Sequence, residues 1–324
     1  MAGARRFLKT FLAVAAGLVA AVACTLFVVD PYDRGHGPVA RPGTVERGPR
    51  TANVSRGRNP AFNAAIIGNS HVQLLNPDRL NTLTGFRFVQ LTVPGTTPRE
   101  QLAMLEWFAL HHRQTLKDQA FKAVILGLDN YWCTAKAALP VDKPFPFWLY
   151  DTSDRAYFPE LFRLKSLQSV PRRIAFLLGR AKAQRADGFW DYEALRTRNE
   201  TYFRKEVVAM RRPGVWNESG QFPAAQALAD ALGKLPPHVR VSLVIPPIFI
   251  DALPDPGSSQ AKAERACVAA FARIANSRPN TSLVDARQDS PLLRDSLNFW
   301  DSSHYTRNVA EIIEADIARG FEKN

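Results

Sequence analysis

Apolar and polar positions change rhythm along the chain. Residues 11–29 form a run of nineteen residues without a charge, long enough to cross a bilayer as one helix. Residues 30–60 are rich in Arg, Gly and Pro, hold no sustained apolar period and read as a stalk. From Phe62 onward short apolar stretches predict strands at 64–67, 86–93, 123–128, 239–245 and 282–284. Between the second and third, Leu102, Leu105, Trp107, Phe108 and Leu110 recur at helical spacing and predict a helix over 99–117. Further helices are expected at 224–235, 259–276 and 306–321. Five short strands alternating with helices predict an α/β fold with a mostly parallel sheet covered on both faces.

The stretch from 140 to 220 breaks that rhythm. Pro144, Pro146, Pro159 and Pro171 are interleaved with Phe145, Phe147, Trp148, Tyr150, Tyr157 and Phe158. It reads as a helical insertion, serving as a satellite cluster at the sheet edge, as a wall of a substrate cleft, or as both. The expected organisation is a cytoplasmic basic segment at 1–10, a transmembrane anchor at 11–29, the stalk, and an α/β domain over 61–324.

Composition adds a folded, core-burying body, with 46% hydrophobic against 22% charged residues. The net charge is +12, but nine basic residues before position 60 (Arg5, Arg6, Lys9, Arg34, Arg41, Arg47, Arg50, Arg56, Arg58) face only Asp30, Asp33 and Glu46. Half of the surplus thus lies beside the apolar run, where it suits anionic lipid headgroups; nucleic acid is not an expected partner. Arg5, Arg6 and Lys9 ahead of the run place the start of the chain in the cytoplasm and the body outside it, periplasmic in a two-membrane cell. A retained anchor is favoured over a cleaved signal, because Leu26, Phe27, Val28 and Val29 continue the run past the small residues Ala20, Ala21 and Ala23. Cys24 lies within the run. Cys133 and Cys267 could pair in an oxidising compartment, and two buried free thiols are the favoured reading.

Candidate chemistry begins at the first strand, where Ala65-Ile66-Ile67 runs into Gly68-Asn69-Ser70-His71. Ligands of open parallel sheets bind outside the carboxyl ends of the strands, so Ser70 stands where a nucleophile is useful. Gly68 is expected to let the backbone bend tightly, and a following helical segment would aim N–H groups at a developing oxyanion. Near the C-terminus, Asp301-Ser302-Ser303-His304 precedes the last helix. There Asp301 can fix the imidazole of His304, which takes the proton from Ser70. His71, one residue past the serine, is expected to point elsewhere. His36, His71, His111, His112 and His238 share no metal-ligand spacing, so metal is disfavoured, and serine chemistry calls for no cofactor. Pro246-Pro247 ends the fourth strand on the presumed active edge, and Tyr131, Trp132, Trp148 and Trp300 could stack on sugar rings or simply pack.

Gly68-Asn69-Ser70, Pro94-Gly95-Thr96, Gly127-Leu128-Asp129-Asn130 and Asp301-Ser302-Ser303-His304 together resemble the four blocks of SGNH (GDSL-like) hydrolases. The resemblance covers about residues 62–320 apart from the insertion. It implies a flavodoxin-like three-layer fold, with Ser70 as nucleophile, His304 as general base and Asp301 as its orienter. It also implies an oxyanion hole from the backbone N–H groups of Ser70 and Gly95. Two blocks depart from the pattern: Asn69 stands for the usual Asp, and Asp129-Asn130 for the usual Asn-Asp. Because an ionised Asp129 would repel an oxyanion, Asn130 is the expected third donor; a protonated Asp129, or no donor there, are the alternatives.

With its N-terminal helix, the chain resembles the anchored proteins that add or remove acyl groups on surface polysaccharides, such as alginate O-acetylation and D-alanyl lipoteichoic acid proteins. The resemblance implies a serine esterase or O-acyltransferase acting on an acylated carbohydrate or other ester alongside envelope polysaccharide machinery. The altered third block motivates an alternative, a catalytically silent scaffold in polysaccharide assembly.

Overall fold

The computed structural model describes residues 2–35, 37–38, 41–116, 121–151, 153–212 and 214–322. It opens with α1 (Ala2–Val29), α2 (Pro49–Gly57), β1 (Ala64–Ile67), α3 (Pro77–Thr84), β2 (Phe88–Gln90), α4 (Pro98–Leu116) and β3 (Ala123–Gly127). The insertion holds α5 (Asp154–Leu161), α6 (Leu164–Leu177) and α7 (Glu200–Met210). Then come α8 (Pro223–Gly233), β4 (Arg240–Ile245), α9 (Ser259–Ser277), β5 (Thr281–Asp285), α10 (Pro291–Arg294) and α11 (Arg307–Glu322).

The five strands pair in parallel in the order β2-β1-β3-β4-β5, the flavodoxin-like order. Strands β1 and β3 are buried on both faces, which is why they read as unbroken apolar runs. Ala65, Ile67, Val124, Leu126, Val241 and Leu243 face a core built with α4, α8 and α9. Ala64, Ile66, Ala123, Ile125 and Val244 face the opposite core, built with α3 and α11. The strand order reverses between β1 and β3, and such a reversal opens a crevice at the carboxyl ends of the two strands.

Two sequence expectations change here. Residues 41–58 are no free stalk. Helix α2 buries Ala52, Asn53, Val54, Ser55, Arg56 and Gly57, and Asp33 accepts from Ser55 Oγ at 2.6 Å, Arg58 Nη1 at 2.8 Å and Arg173 Nη2 at 2.9 Å. The segment is a collar packed on the domain, held by buried charge pairs that periodicity does not register. Cys133 and Cys267 are joined as a disulfide with Cα atoms 5.7 Å apart, against the free-thiol reading. The turn after β3 and helix α9 lie side by side only once the sheet is assembled, so their separation of 134 residues gave no hint.

Helix α1 is long and apolar enough to cross a membrane. It begins at Ala2, so Arg5, Arg6 and Lys9 belong to the same helix as the apolar run. Only Leu26 and Val29, at its last turn, are buried.

Candidate active site

Ser70 opens a single 3-10 turn, Ser70–Val72, directly after β1. The turn lies close on the sheet: a Cβ on Gly68 would stand 2.3 Å from Val72 Cγ2, and one on Gly127 would stand 2.6 Å from the same atom. The glycines ending β1 and β3 are thus required by close approach, and Gly68 works by the space it leaves under Val72. Gly95, with φ +67°, holds a left-handed backbone conformation in the loop after β2.

Asp301-Ser302-Ser303-His304 forms a tight loop closed by a Phe299–Tyr305 bridge and by Trp300 N–H donating to the His304 carbonyl at 2.7 Å. Asp301 Oδ1 caps it, accepting from the N–H groups of Ser303 at 3.0 Å and His304 at 2.8 Å. The structure brings Ser70, His304 and Asp301 into one line. His304 Nε2 is 2.8 Å from Ser70 Oγ, and Nδ1 lies 2.9 and 2.8 Å from the two Asp301 oxygens. Facing a carboxylate, Nδ1 carries the proton, which leaves Nε2 to accept from the serine hydroxyl.

Electrostatics sharpen the arrangement. Burial alone would raise the Asp301 carboxyl, but the His304 hydrogen bond and charge and the two backbone N–H groups outweigh it and hold the acid far below the usual carboxylate range. His304 is pushed below the ordinary histidine range, first by burial and then by His71 and Arg196, with Asp301 pulling it partly back. The imidazole therefore stays neutral, and able to accept a proton, into mildly acidic solution.

His71 does not point away, contrary to expectation. Its ring packs at a tilt against that of His304, with centroids 4.7 Å apart. Its Nδ1 is 3.1 Å from Asp129 Oδ2 and its Nε2 3.0 Å from Ser303 Oγ. Asp129, His71 and Ser303 thus form a second relay running alongside the first. The Asp129 carboxylate also accepts from Asn69 Nδ2 and from Tyr131 N–H. With three donors around it, Asp129 behaves as an acceptor and offers no donor to an oxyanion. The Asn130 side chain makes no hydrogen bond among the described residues, and its buried Oδ1 is unpartnered; the backbone N–H groups of Ser70 and Gly95 likewise have no partner there. Asn69 Nδ2 also donates to the Thr96 carbonyl at 3.3 Å, tying the Ser70 turn to the Gly95 loop.

Beside these groups lies a cavity of about 320 Å³. His71, Asn130, Tyr131 and Ser303 line its polar side; Met210, Val215 and the Pro246-Pro247-Ile248 turn make the apolar wall. Met210 and Val215 come from the insertion, as does Arg196, whose Nη1 is 3.4 Å from Asp301 Oδ2. The insertion is therefore a wall of the cleft as well as a helical cluster. Of the other aromatic candidates, Trp132 is buried and donates to Gln101 at 3.1 Å, and Trp148 packs edge-on against Tyr32. Tyr131 is 46% exposed at the cavity. His112 Nε2 lies 3.0 Å from the Gly57 carbonyl, and His36 lies outside the described residues.

His71 and Arg196 escaped the sequence reading. The one available signal for His71 was Asp129, an acceptor where the resembled pattern has a donor. Arg196 reaches the site only through the fold of the insertion. No family model matches this chain, and no curated protein matches it.

Proposed function

We propose that the chain is a serine-dependent acyl-ester hydrolase or O-acyltransferase that works through an acyl-enzyme. The observation carrying this reading is the Ser70–His304–Asp301 line at the carboxyl ends of the strands. Ser70 Oγ attacks the acyl carbonyl as His304 Nε2 takes its proton, and Asp301 stabilises the resulting imidazolium. Ser70 N–H, Gly95 N–H and the Asn130 amide serve the oxyanion. The alcohol leaves with the proton from His304, and water or a second alcohol, deprotonated by the same nitrogen, then attacks the acyl-Ser70 ester. The four-block resemblance to SGNH hydrolases supports the same chemistry and points to an acylated envelope carbohydrate as substrate. The neighbouring cavity, which reaches the triad through His71 and Ser303 and not through Ser70 itself, offers the substrate an apolar wall at Met210, Val215 and Pro246-Pro247-Ile248.

The domain is placed outside the cytoplasm in this reading. The basic start of α1 supports that orientation, and so does the Cys133–Cys267 disulfide, a bond that persists in oxidising compartments.

The test is labelling of the full-length protein in detergent by a serine-reactive fluorophosphonate. Wild type should label at Ser70, and Ser70→Ala and His304→Ala should not. A folded wild type that takes no label would sink the enzyme reading and favour the silent scaffold.

A further inference from the structure

Helix α6 is amphipathic the wrong way round for a helix in water. Its inward stripe is mostly polar: Ser166, Ser169 and Arg173 are buried, with Phe176 the one large apolar side chain among them. Ser166 Oγ meets Tyr32 OH at 3.2 Å, and Arg173 binds Asp33 at 2.9 Å and the Gly43 carbonyl at 2.6 Å. Its outward stripe is apolar. Leu164, Leu167, Pro171, Ile174 and Leu178 recur three or four residues apart and point away from the protein, with Leu164 70% and Leu178 63% exposed. Phe158 and Phe162 on and after α5 extend the same exposed patch. A contiguous outward apolar face of this kind marks a surface that something other than water covers.

The position of the patch says what covers it. Helix α6 packs against α1, and Phe27, within the apolar run of α1, contacts Phe158 with ring centroids 6.1 Å apart. Tyr157, next to Phe158, donates to Asp30 at 2.9 Å, one residue past the end of α1. The apolar stripe therefore starts at the level where α1 leaves its apolar stretch. Arg163, Lys165, Arg172 and Arg180 are exposed around it, the residue type that pairs with lipid phosphates at that depth.

We infer that α5 and α6 lie in the headgroup layer of the bilayer that α1 crosses, with Phe158, Phe162, Leu164, Leu167, Ile174 and Leu178 dipping into the acyl boundary. This second attachment rests on the anchor reading of α1 and adds an orientation to it. One helix leaves a domain free to swivel; a second, lying in the interface plane beside the first, fixes which face of the domain meets the lipid.

The test uses the full chain with Cys24→Ser, an environment-sensitive fluorophore on a single introduced cysteine, and vesicles of phosphatidylethanolamine and phosphatidylglycerol. Labels at Leu167→Cys and Ile174→Cys should lose most of their emission to lipids carrying a nitroxide near the headgroup and almost none to iodide in the water. A label at Arg204→Cys, exposed on α7, should behave the opposite way, and one at Val19→Cys should be quenched by deep nitroxide lipids. Iodide quenching at 167 and 174 equal to that at 204 overturns the inference, and so does shielding from both quenchers, which would mean contact between protein copies. With Val19→Cys still quenched by deep lipid, the anchor survives that failure; with Val19→Cys unquenched as well, the anchor reading falls too.

Discussion

Asn69 and Asp129 each depart from the resembled pattern, and the structure sets them against each other. The Asn69 amide donates to the Asp129 carboxylate, so an acceptor and a donor have exchanged places across the gap between β1 and β3. An Asp at both positions would put two carboxylates in hydrogen-bond contact, a repulsion that Asp129 alone would create and that Asn69 opposite it avoids. The same carboxylate orients His71, which is why the residue after the serine turns into the site: side chains in a 3-10 turn diverge by about a third of a turn per residue. Ser70, Asp301 and His304 were legible because each sits at a chain position the topology fixes, a strand end or the entry to the last helix. His71 and Arg196 were not, since their roles depend on which loop folds opposite them. A pH prediction belongs to this scale. Because His304, as the proposed general base, acts when neutral and is held below the ordinary histidine value of about 6.5, the acidic limb of the fluorophosphonate labelling rate should fall below that value. His71→Asn removes one of the charges that depress His304, so the limb should move to higher pH; an unmoved limb would disconnect His71 from the relay.

At the scale of elements, β1, β3 and β4 were readable nearly to the residue because burial on both faces leaves continuous apolar runs, whereas the apolar run at 86–93 overstated β2, which pairs only over Phe88–Gln90. Helix α3 was not, being eight residues long with only Pro77 and Leu80 buried. Pro159 and Pro171 argue against helix, yet both lie inside helices, α5 and α6. The disulfide is the element-scale device with the clearest consequence. It joins the turn Asn130–Cys133, which carries the proposed third oxyanion donor, to α9. Cys133→Ser with Cys267→Ser should lower stability by about 2–5 kcal/mol in chemical denaturation and slow labelling of Ser70 in the folded protein. Equal denaturation midpoints for the variant and the oxidised wild type would show that the bond does not form.

For the whole molecule, the apolar N-terminal helix and the five-stranded parallel sheet were both legible, whereas the join between them was not. The collar has no apolar period; its order comes from Asp33 collecting Ser55 and Arg58 from the end of α2 and Arg173 from α6. The proposed orientation is tested in spheroplasts of an expressing bacterium: added protease should degrade the domain without lysis, and protection until lysis would place it on the cytoplasmic side. The collar also reaches the chemistry, since Arg50 at the start of α2 donates to the Pro94 carbonyl at 3.1 Å, next to Gly95. A domain on a loose tether sweeps a hemisphere of solution. Under the proposed anchoring and chemistry, this collar holds the cleft at one height, where it meets its reactants in a single plane, and its encounter rate follows how densely they crowd each unit area of surface, whatever their concentration in the fluid beyond.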